Sequence, residues 1–447
     1  MKNKNIHWHG VGMALLSLCT GIACAQGAAP ASAVAAGTTA VDFASYLAAV
    51  EKHSLDLASQ RESITAAEAG VSIAGVMPDP KLTLGYGPKE FSRTVALKPP
   101  VSRTVALEWE IETGGKRDKR IKAAKSNVKL TEANVEGFKH QLYSDSATAF
   151  AEACRTREAL VRQESSLKSL SDVVRANEVR RKAGDAGGLE LLQSRTERDQ
   201  FQAGVVKGRA DAQAALLNLS VPLGQRFGEL FGPLGLNCDF AAYAPGDDVD
   251  ALIRQALDAR DEVLIARATL DSARANAELV QANRYVGPTV KLTAGRTPMG
   301  RSTFDGEGKE TPGSPVSRTL AVEVSMPLPF SRLQKGEVIQ AESAVTQAML
   351  GLRAAELKTD ADVRTSYTQF VAARENLRRY RESVLADSDK VLAGIRLSYR
   401  NGQASLLEFL AAQRSADDAY LAYLQARADL AAATVQLQLS VGLHPAL

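Results

Sequence analysis

The sequence predicts a mainly α protein with a membrane β component: four β-strands plus long coiled-coil helices per chain, tandem duplicated. Three observations predict it. Of 16 prolines, none lies between Pro100 and Pro222, and none between Pro329 and Pro445. Proline breaks helix interiors, so both gaps read as long helical tracts. The stretch VSRTVALEWE from Val101 returns as VSRTLAVEVS from Val316, and such self-similarity marks a repeated architecture. Both stretches alternate apolar and polar residues over about ten positions, the length of a tilted membrane strand.

The chain starts with a secretory signal. Lys2 and Lys4 precede a mainly apolar core from Val11 to Ile22, and Ala23-Cys24-Ala25 is an A-x-A cleavage site. The mature start is placed at Gln26. A rival reading lipidates Cys24 or Cys19, although Gly21 stands where leucine is preferred before Cys24. No later segment has the roughly 20 consecutive apolar residues of a spanning helix, so any crossing of a membrane takes a closed barrel. After cleavage only Cys154 and Cys238 remain. The expectation is one helix-packing thiol and one loop thiol rather than a disulfide.

Residues 26–41 read as an N-terminal linker, 42–228 as the first repeat, 229–246 as an inter-repeat linker and 247–447 as the second repeat. Each repeat reads helix, strand, loop, strand, long helix, turn, helix. The opening helices are expected at about Asp42–Val76 and Asp247–Arg284. PKLTLGYG at Pro80 matches VKLTAGRT at Val290 as first strands. In the second strand Val101, Arg103, Val105, Leu107, Trp109 and Ile111 share one face. Ser102, Thr104, Ala106, Glu108 and Glu110 share the other. The duplicate sets Val316, Arg318, Leu320, Val322, Val324 and Met326 opposite Ser317, Thr319, Ala321, Glu323 and Ser325.

A Gly114-Gly115 break then leads into a helix over Lys116–Lys182, on the order of 100 Å at 1.5 Å per residue. KAGDAGGLE forces a turn, and a return helix follows over Leu189–Leu219. The second copy runs from Arg332 to about Arg400, turns at Asn401-Gly402 and returns over Ser405–Val441. There Pro327 and Pro329 replace the glycines of the first junction. The return helices carry coiled-coil seams: Ala203, Val206, Ala210, Gln213 and Leu217 in one, Leu421, Leu424, Ala428, Ala431, Val435 and Leu439 in the other. Both rows are expected to be core packing.

Composition excludes several functions. The net charge is +3 with both signs interspersed, unlike the clustered basic footprint of a nucleic-acid binder. The five histidines are scattered, and His7 and His9 leave with the signal. No nucleophile–base set, phosphate loop or metal-ligand cluster stands out. Neither an enzyme nor a resident cofactor is expected.

Together the duplication, the two strand pairs, the paired long helices and the glycine-marked tips resemble the TolC family of outer-membrane efflux channels. EIETGGKR, Glu110–Arg117, looks like the strand-to-helix junction of its heavy-metal (CzcC-like) branch. The resemblance implies a homotrimer whose pooled strands close a twelve-stranded barrel in outer-membrane lipid, above a periplasmic helical tunnel. It also implies two partners, a periplasmic adaptor (membrane fusion protein) and an inner-membrane RND pump. Gly184, Gly187, Gly188, Asn401 and Gly402 then fall at adaptor-contacting tips. Glu190, Tyr399 and Glu408 fall at the aperture, with Ala404 where some members carry a latching arginine. Glu108 and Glu323 fall in the barrel lumen. Rings of acidic residues there would favour cations. The implied function is a passive exit duct for divalent heavy-metal cations. Multidrug or solvent efflux, type I secretion, and a poreless periplasmic coiled-coil adaptor are the alternatives.

Overall fold

The computed structural model describes residues 40–87, 100–184, 187–233, 235–240, 243–246, 248–328 and 335–447. The expected signal peptide and most of the N-terminal linker lie outside them. The account below concerns the unit Ala40–Leu447.

The first repeat opens with β1 (Ala40–Val41), α1 (Phe43–His53) and α2 (Leu55–Ala74). One helix was expected over α1 and α2. The chain breaks at Ser54, whose extended ψ and side-chain oxygen serve as the N-cap of α2. Asp42 caps α1, accepting from the Ser45 amide at 2.9 Å. Strands β2 (Lys81–Gly87) and β3 (Ser102–Glu110) follow, then α3 (Lys116–Ala183). At the turn from β3 into α3, Gly114 and Gly115 have φ of 69° and 67°. Left-handed backbone favours glycine, and at Gly114 an added Cβ would lie 2.6 Å from the Tyr285 ring.

The basic residues after that turn seal α2. Arg120 donates to the carbonyls of Ala74 and Val76 at 2.7 and 2.8 Å, and Arg117 to that of Gly75 at 2.8 Å. Glu112 pairs with Arg120 at 2.6 Å. These are carbonyls a helix end leaves without partners, so the junction motif caps one helix while it starts another.

The repeat ends with α4 (Gly188–Asn218), α5 (Ser220–Leu223) and α6 (Phe227–Phe231), the last running across the expected end at 228. β4 (Gly235–Leu236) pairs in parallel with β1. Beside it the structure corrects the cysteine expectation: Cys154 of α3 and Cys238 form a disulfide. Their spacing in sequence gives no hint that the linker folds back onto the middle of α3. Arg157 fastens the same place, donating to the Leu236 carbonyl at 2.7 Å.

The second repeat comprises α7 (Val249–Ala259), α8 (Asp261–Asn283), β5 (Thr289–Thr297), a small hairpin of β6 (Thr303–Phe304) and β7 (Glu310–Thr311), then β8 (Ser317–Ser325). The expected Asp247–Arg284 helix breaks at Arg260, which is extended. Its guanidinium reaches Glu262 and, in the next helix, Asp362 at 2.7 Å. Then come α9 (Gly336–Arg379), a π-helical turn (Tyr380–Val384), α10 (Leu385–Arg400) and α11 (Leu406–Ser440). Pro329 and the expected start at Arg332 lie outside the described residues. The π turn was not expected.

β2, β3, β5 and β8 form one antiparallel sheet in that order. The register aligns the faces read from sequence. Leu84, Val105, Ala294 and Leu320 make one row, and Leu82, Leu107, Leu292 and Val322 the next. The opposite face carries Gly85, Thr104, Gly295 and Thr319, then Thr83, Ala106, Thr293 and Ala321. The apolar side is bare: Leu84 is 73% and Leu320 75% exposed. β2 and β8 are unpaired along their outer edges among the described residues.

Three apolar clusters hold the helices together. One gathers Tyr46, Phe150, Leu219 and Phe227 around the middle of α3. A second joins Leu170 to Tyr399, Phe409 and Leu410 near the hairpin tips. A third packs Ile253, Val363, Phe370 and Leu437. The seam expected on α11 is partly right, with Leu424, Ala431 and Val435 buried. On α4 it is wrong. Ala203, Val206, Ala210, Gln213 and Leu217 are exposed, while Val205 and Ala215 are buried. α4 has two apolar stripes, and spacing alone does not tell which one its own chain covers.

Candidate functional site at the hairpin tips

Both long hairpins turn through a left-handed glycine. Gly184, φ 86°, ends α3, and Gly402, φ 74°, follows Asn401, the C-cap of α10. Gly187 is the extended N-cap of α4, and Gly188 begins that helix.

Just behind the tips the structure brings together two of the three expected aperture residues. The Tyr399 hydroxyl lies 3.0 Å from Glu190 Oε1 and 2.8 Å from Asn177 Oδ1. Arg180 reaches Glu190 at 3.4 Å, and its guanidinium sits 6.0 Å from the Tyr399 ring centre. The Phe409 ring stacks on that of Tyr399, with centres 5.5 Å apart. One phenolic proton cannot serve two acceptors, and the buried Asn177 Nδ2 has no partner among the described residues. Turning the amide over resolves both: Nδ2–H donates to the phenol oxygen, and the phenol donates to Glu190. Burial pushes the Tyr399 hydroxyl above its ordinary pKa, so it remains a donor at neutral pH.

Glu408 is used differently. It completes a capping box with Ser405 at the start of α11: Ser405 Oγ accepts from the Glu408 amide, and Glu408 accepts from the Ser405 amide at 2.7 Å. That backbone hydrogen bond holds its carboxyl below the usual range. Ala404 lies half-buried against the Leu170–Tyr399 cluster.

Deeper in the bundle Asp417, almost fully buried, accepts from Arg162 at 2.9 Å, Ser166 at 2.7 Å and Gln413 at 3.0 Å. Arg414 pairs with Glu197, and Arg427 with Glu158. These contacts tie α3 and α4 of the first repeat to α11 of the second. They hold helices in place. Asn177, Arg180 and Asp417 escaped the sequence reading. The i,i+3 spacing of Asn177 and Arg180 on one helix face, one turn before the tip glycine, was the available signal.

On the polar face of the sheet Glu108 lies between Lys81 and Lys291, and Lys291 lies between Glu108 and Glu323, which it meets at 3.8 Å. The expected acidic positions thus stand in a row of alternating charge. Among the described residues no helix is long and apolar enough to cross a membrane, and no cluster of His, Cys, Asp and Glu would hold a metal ion.

A bare apolar sheet face, a duplicated chain and long antiparallel hairpins closed at glycine tips define an outer-membrane channel of the efflux type. The family described as "Outer membrane efflux protein" matches residues 47–225 and 252–443, and the chain belongs to that family. Its members are channel proteins, not enzymes. The chain is 24% identical to the cobalt-zinc-cadmium resistance protein CzcC of Cupriavidus metallidurans, over 93% of this chain and 94% of CzcC. It is 21% identical to the outer membrane efflux protein BepC of Brucella suis, over 88% of this chain and 83% of BepC. Among solved structures, a membrane protein from Pseudomonas aeruginosa superposes with a TM-score of 0.73 at 18% identity, covering 90% of both chains. CusC, whose structures describe folding and transmembrane channel formation, gives 0.72 at 16% identity, covering 91% of this chain and 94% of CusC. The fold is TolC-like.

Proposed function

We propose that this chain is the passive outer-membrane duct of a tripartite RND-type efflux system and that its cargo is divalent heavy-metal cations. The observation that carries the channel reading is the two-faced sheet. One face is apolar and bare, the other polar, and among the described residues both edges lack a partner. Four strands cannot enclose a water-filled pore. Three copies of a 4-stranded sheet give a twelve-stranded closed barrel, with apolar residues to lipid and the Lys81–Glu108–Lys291–Glu323 row to the lumen. The bare row on α4 is then a face for the neighbouring copy.

On this reading residues 1–25 are a cleaved signal peptide, and 42–228 and 247–447 are the two repeats. The barrel lies in the outer membrane and the helices form a periplasmic tunnel. Gly184, Gly187, Gly188, Asn401 and Gly402 meet the adaptor, and Glu408 lines the aperture. The Tyr399–Glu190–Arg180 contact holds the hairpins closed and breaks when they untwist on engagement, a two-state rearrangement. The sequence has no phosphate loop, so the driving energy belongs to the inner-membrane pump. The metal cargo is supported by the likeness to CzcC.

Carbonate washing tests the channel: the protein should stay with membranes, require detergent, and conduct as a cross-linkable trimer in a planar bilayer. A water-soluble single subunit without conductance would sink the reading. For the cargo, a deletion strain should become sensitive to cobalt, zinc or cadmium. Sensitivity confined to organic toxins would point to a drug channel instead.

A further inference from the structure

The apolar face of the sheet ends in an unusual row. Tyr86 of β2 pairs with Arg103 of β3, Arg103 with Arg296 of β5, and Arg296 with Arg318 of β8. Side chains alternate across a strand, so these residues share the face of Val105, Leu107, Leu292 and Leu320, not the polar one. All three arginines are exposed. The row lies at the end of the strands away from the helices, beside the loops that follow β2 and β5.

Like charges directly opposite one another destabilise a sheet. Here three stand in adjacent strands with no ion pair among the described residues; the Tyr86 ring centre lies 6.0 Å from the Arg103 guanidinium carbon. The contrast with the other face is sharp. There the charged row alternates Lys81, Glu108, Lys291 and Glu323 and neutralises itself. A cationic row beside apolar rows, with no ion pair to it among the described residues, calls for anions at the boundary of the apolar band. Guanidinium forks match phosphate oxygens with charge-assisted, bidentate hydrogen bonds.

We propose that Arg103, Arg296 and Arg318 form a binding row for the phosphate groups of anionic lipid in the outer leaflet. This rests on the channel reading above, which places the face in lipid and this end at the cell surface. Each chain would hold lipid phosphate at the outer rim of the barrel, with Tyr86 at the same level as an interfacial aromatic.

The test uses the detergent-purified full chain, shown first to resist carbonate and to conduct. Native mass spectrometry then follows retention of bis-phosphorylated lipid A, the same glycolipid stripped of phosphate, and inorganic phosphate as competitor. Wild type should retain the phosphorylated lipid, and R103Q/R296Q/R318Q should retain it at least about tenfold less, the loss of a few charge-assisted hydrogen bonds. The stripped glycolipid should not be retained, and inorganic phosphate should not displace the lipid. Equal retention by wild type and variant, equal retention of the stripped lipid, or displacement by inorganic phosphate overturns the proposal while leaving the channel intact. A wild type that washes off membranes and does not conduct overturns the channel reading itself, and the lipid row with it. Should the triple variant fail to assemble, R296Q alone decides: a loss of about threefold or more supports the row, and unchanged retention overturns it.

Discussion

The two long helices do the same topological job under different constraints. α3 runs unbroken from Lys116 to Ala183 and buries side chains along most of its length, from Ala123 to Asn177. α9 buries only Thr359, Val363, Ser366 and Phe370, and the π turn that follows buries nothing. The first helix is the spine on which α2, α4, α8 and α11 lean; the second lies open. Sequence spacing explains why only the second is irregular. From Arg157 to Gly184 there are 27 steps, but from the matching Arg374 to Gly402 there are 28. One added residue turns everything beyond it by about 100° in an α-helix. A π turn absorbs that residue in one widened loop. Leu392 and Tyr399 therefore still reach the tip cluster. The irregularity sits where packing is thinnest, and the register of the tip is kept.

Paired deletions would break this comparison most sharply. Removing Ser383, whose side chain only bonds the Arg379 carbonyl, should relax the π turn into regular helix with both flanks in register. The variant should fold and melt close to wild type. Removing exposed Lys168 from α3 has no such slack to use. Leu170, Val174 and Asn177 would swing out of the core, at roughly 2–5 kcal/mol for a buried leucine alone. Loss of folded, assembled protein is expected by circular dichroism and gel filtration. Equal tolerance of the two deletions would show that α3 is no spine.

The covalent tie is the next difference, since α3 alone carries one. Cys154 and Cys238 close a loop of sequence separation 84. A loop of that size restricts the unfolded chain by about 4.5 kcal/mol in the chain-entropy account. The Cys154→Ala/Cys238→Ala variant should unfold at clearly lower denaturant, and reductant should move wild type toward it. A midpoint indifferent to reductant would remove the tie from the ledger of α3.

Much of this was legible in the residues and some was not, for identifiable reasons. Strand faces, junction glycines and tip glycines are local: period-two alternation and positive φ leave marks in a single segment. The π turn was also present, as the one-residue difference between matched landmarks. The disulfide was hidden because 84 residues of chain say nothing about which sulfurs meet. The α4 seam was misread because Ala203 and Val206 follow the same three-and-four spacing whether they face their own chain or bare surface. At the site, Glu190 and Tyr399 were named from resemblance, but their contact, and the roles of Asn177 and Arg180, depend on two helices meeting far apart in sequence.

A third prediction sharpens the tip. Tyr399 stands on the irregular helix and Glu190 and Asn177 belong to the regular half, so their hydrogen bonds join the two. Tyr399→Phe keeps the stack on Phe409 and removes only the hydroxyl. It leaves Asn177 and Glu190 short of a partner, at about 1.5–3 kcal/mol for a hydrogen bond to a charged group. Thermal stability should fall modestly, and conductance at rest should rise. A stable variant with unchanged conductance would separate this contact from closure.

The smallest effect lies at the other end of α3, where the second repeat grips the first through charge. Glu278 of α8 bonds Lys119 and Lys122 of α3, each at 2.7 Å. Hydrogen bonds from those two lysines hold its carboxyl down at about 2, against an ordinary 4.5. The unfolded chain therefore binds the extra proton between those two values, and stability rises with pH across that window. The contribution is complete above about 4.5 and gone once pH falls through about 2. Glu278→Gln should lower the melting temperature slightly at neutral pH, with a difference that shrinks as acid is added and vanishes near the bottom of the window. The groups are half-exposed, so salt should shrink it too. A difference that stays constant with pH and salt would mean that Glu278 acts by packing rather than by charge, and that this end of α3 is not gripped through its ion pairs.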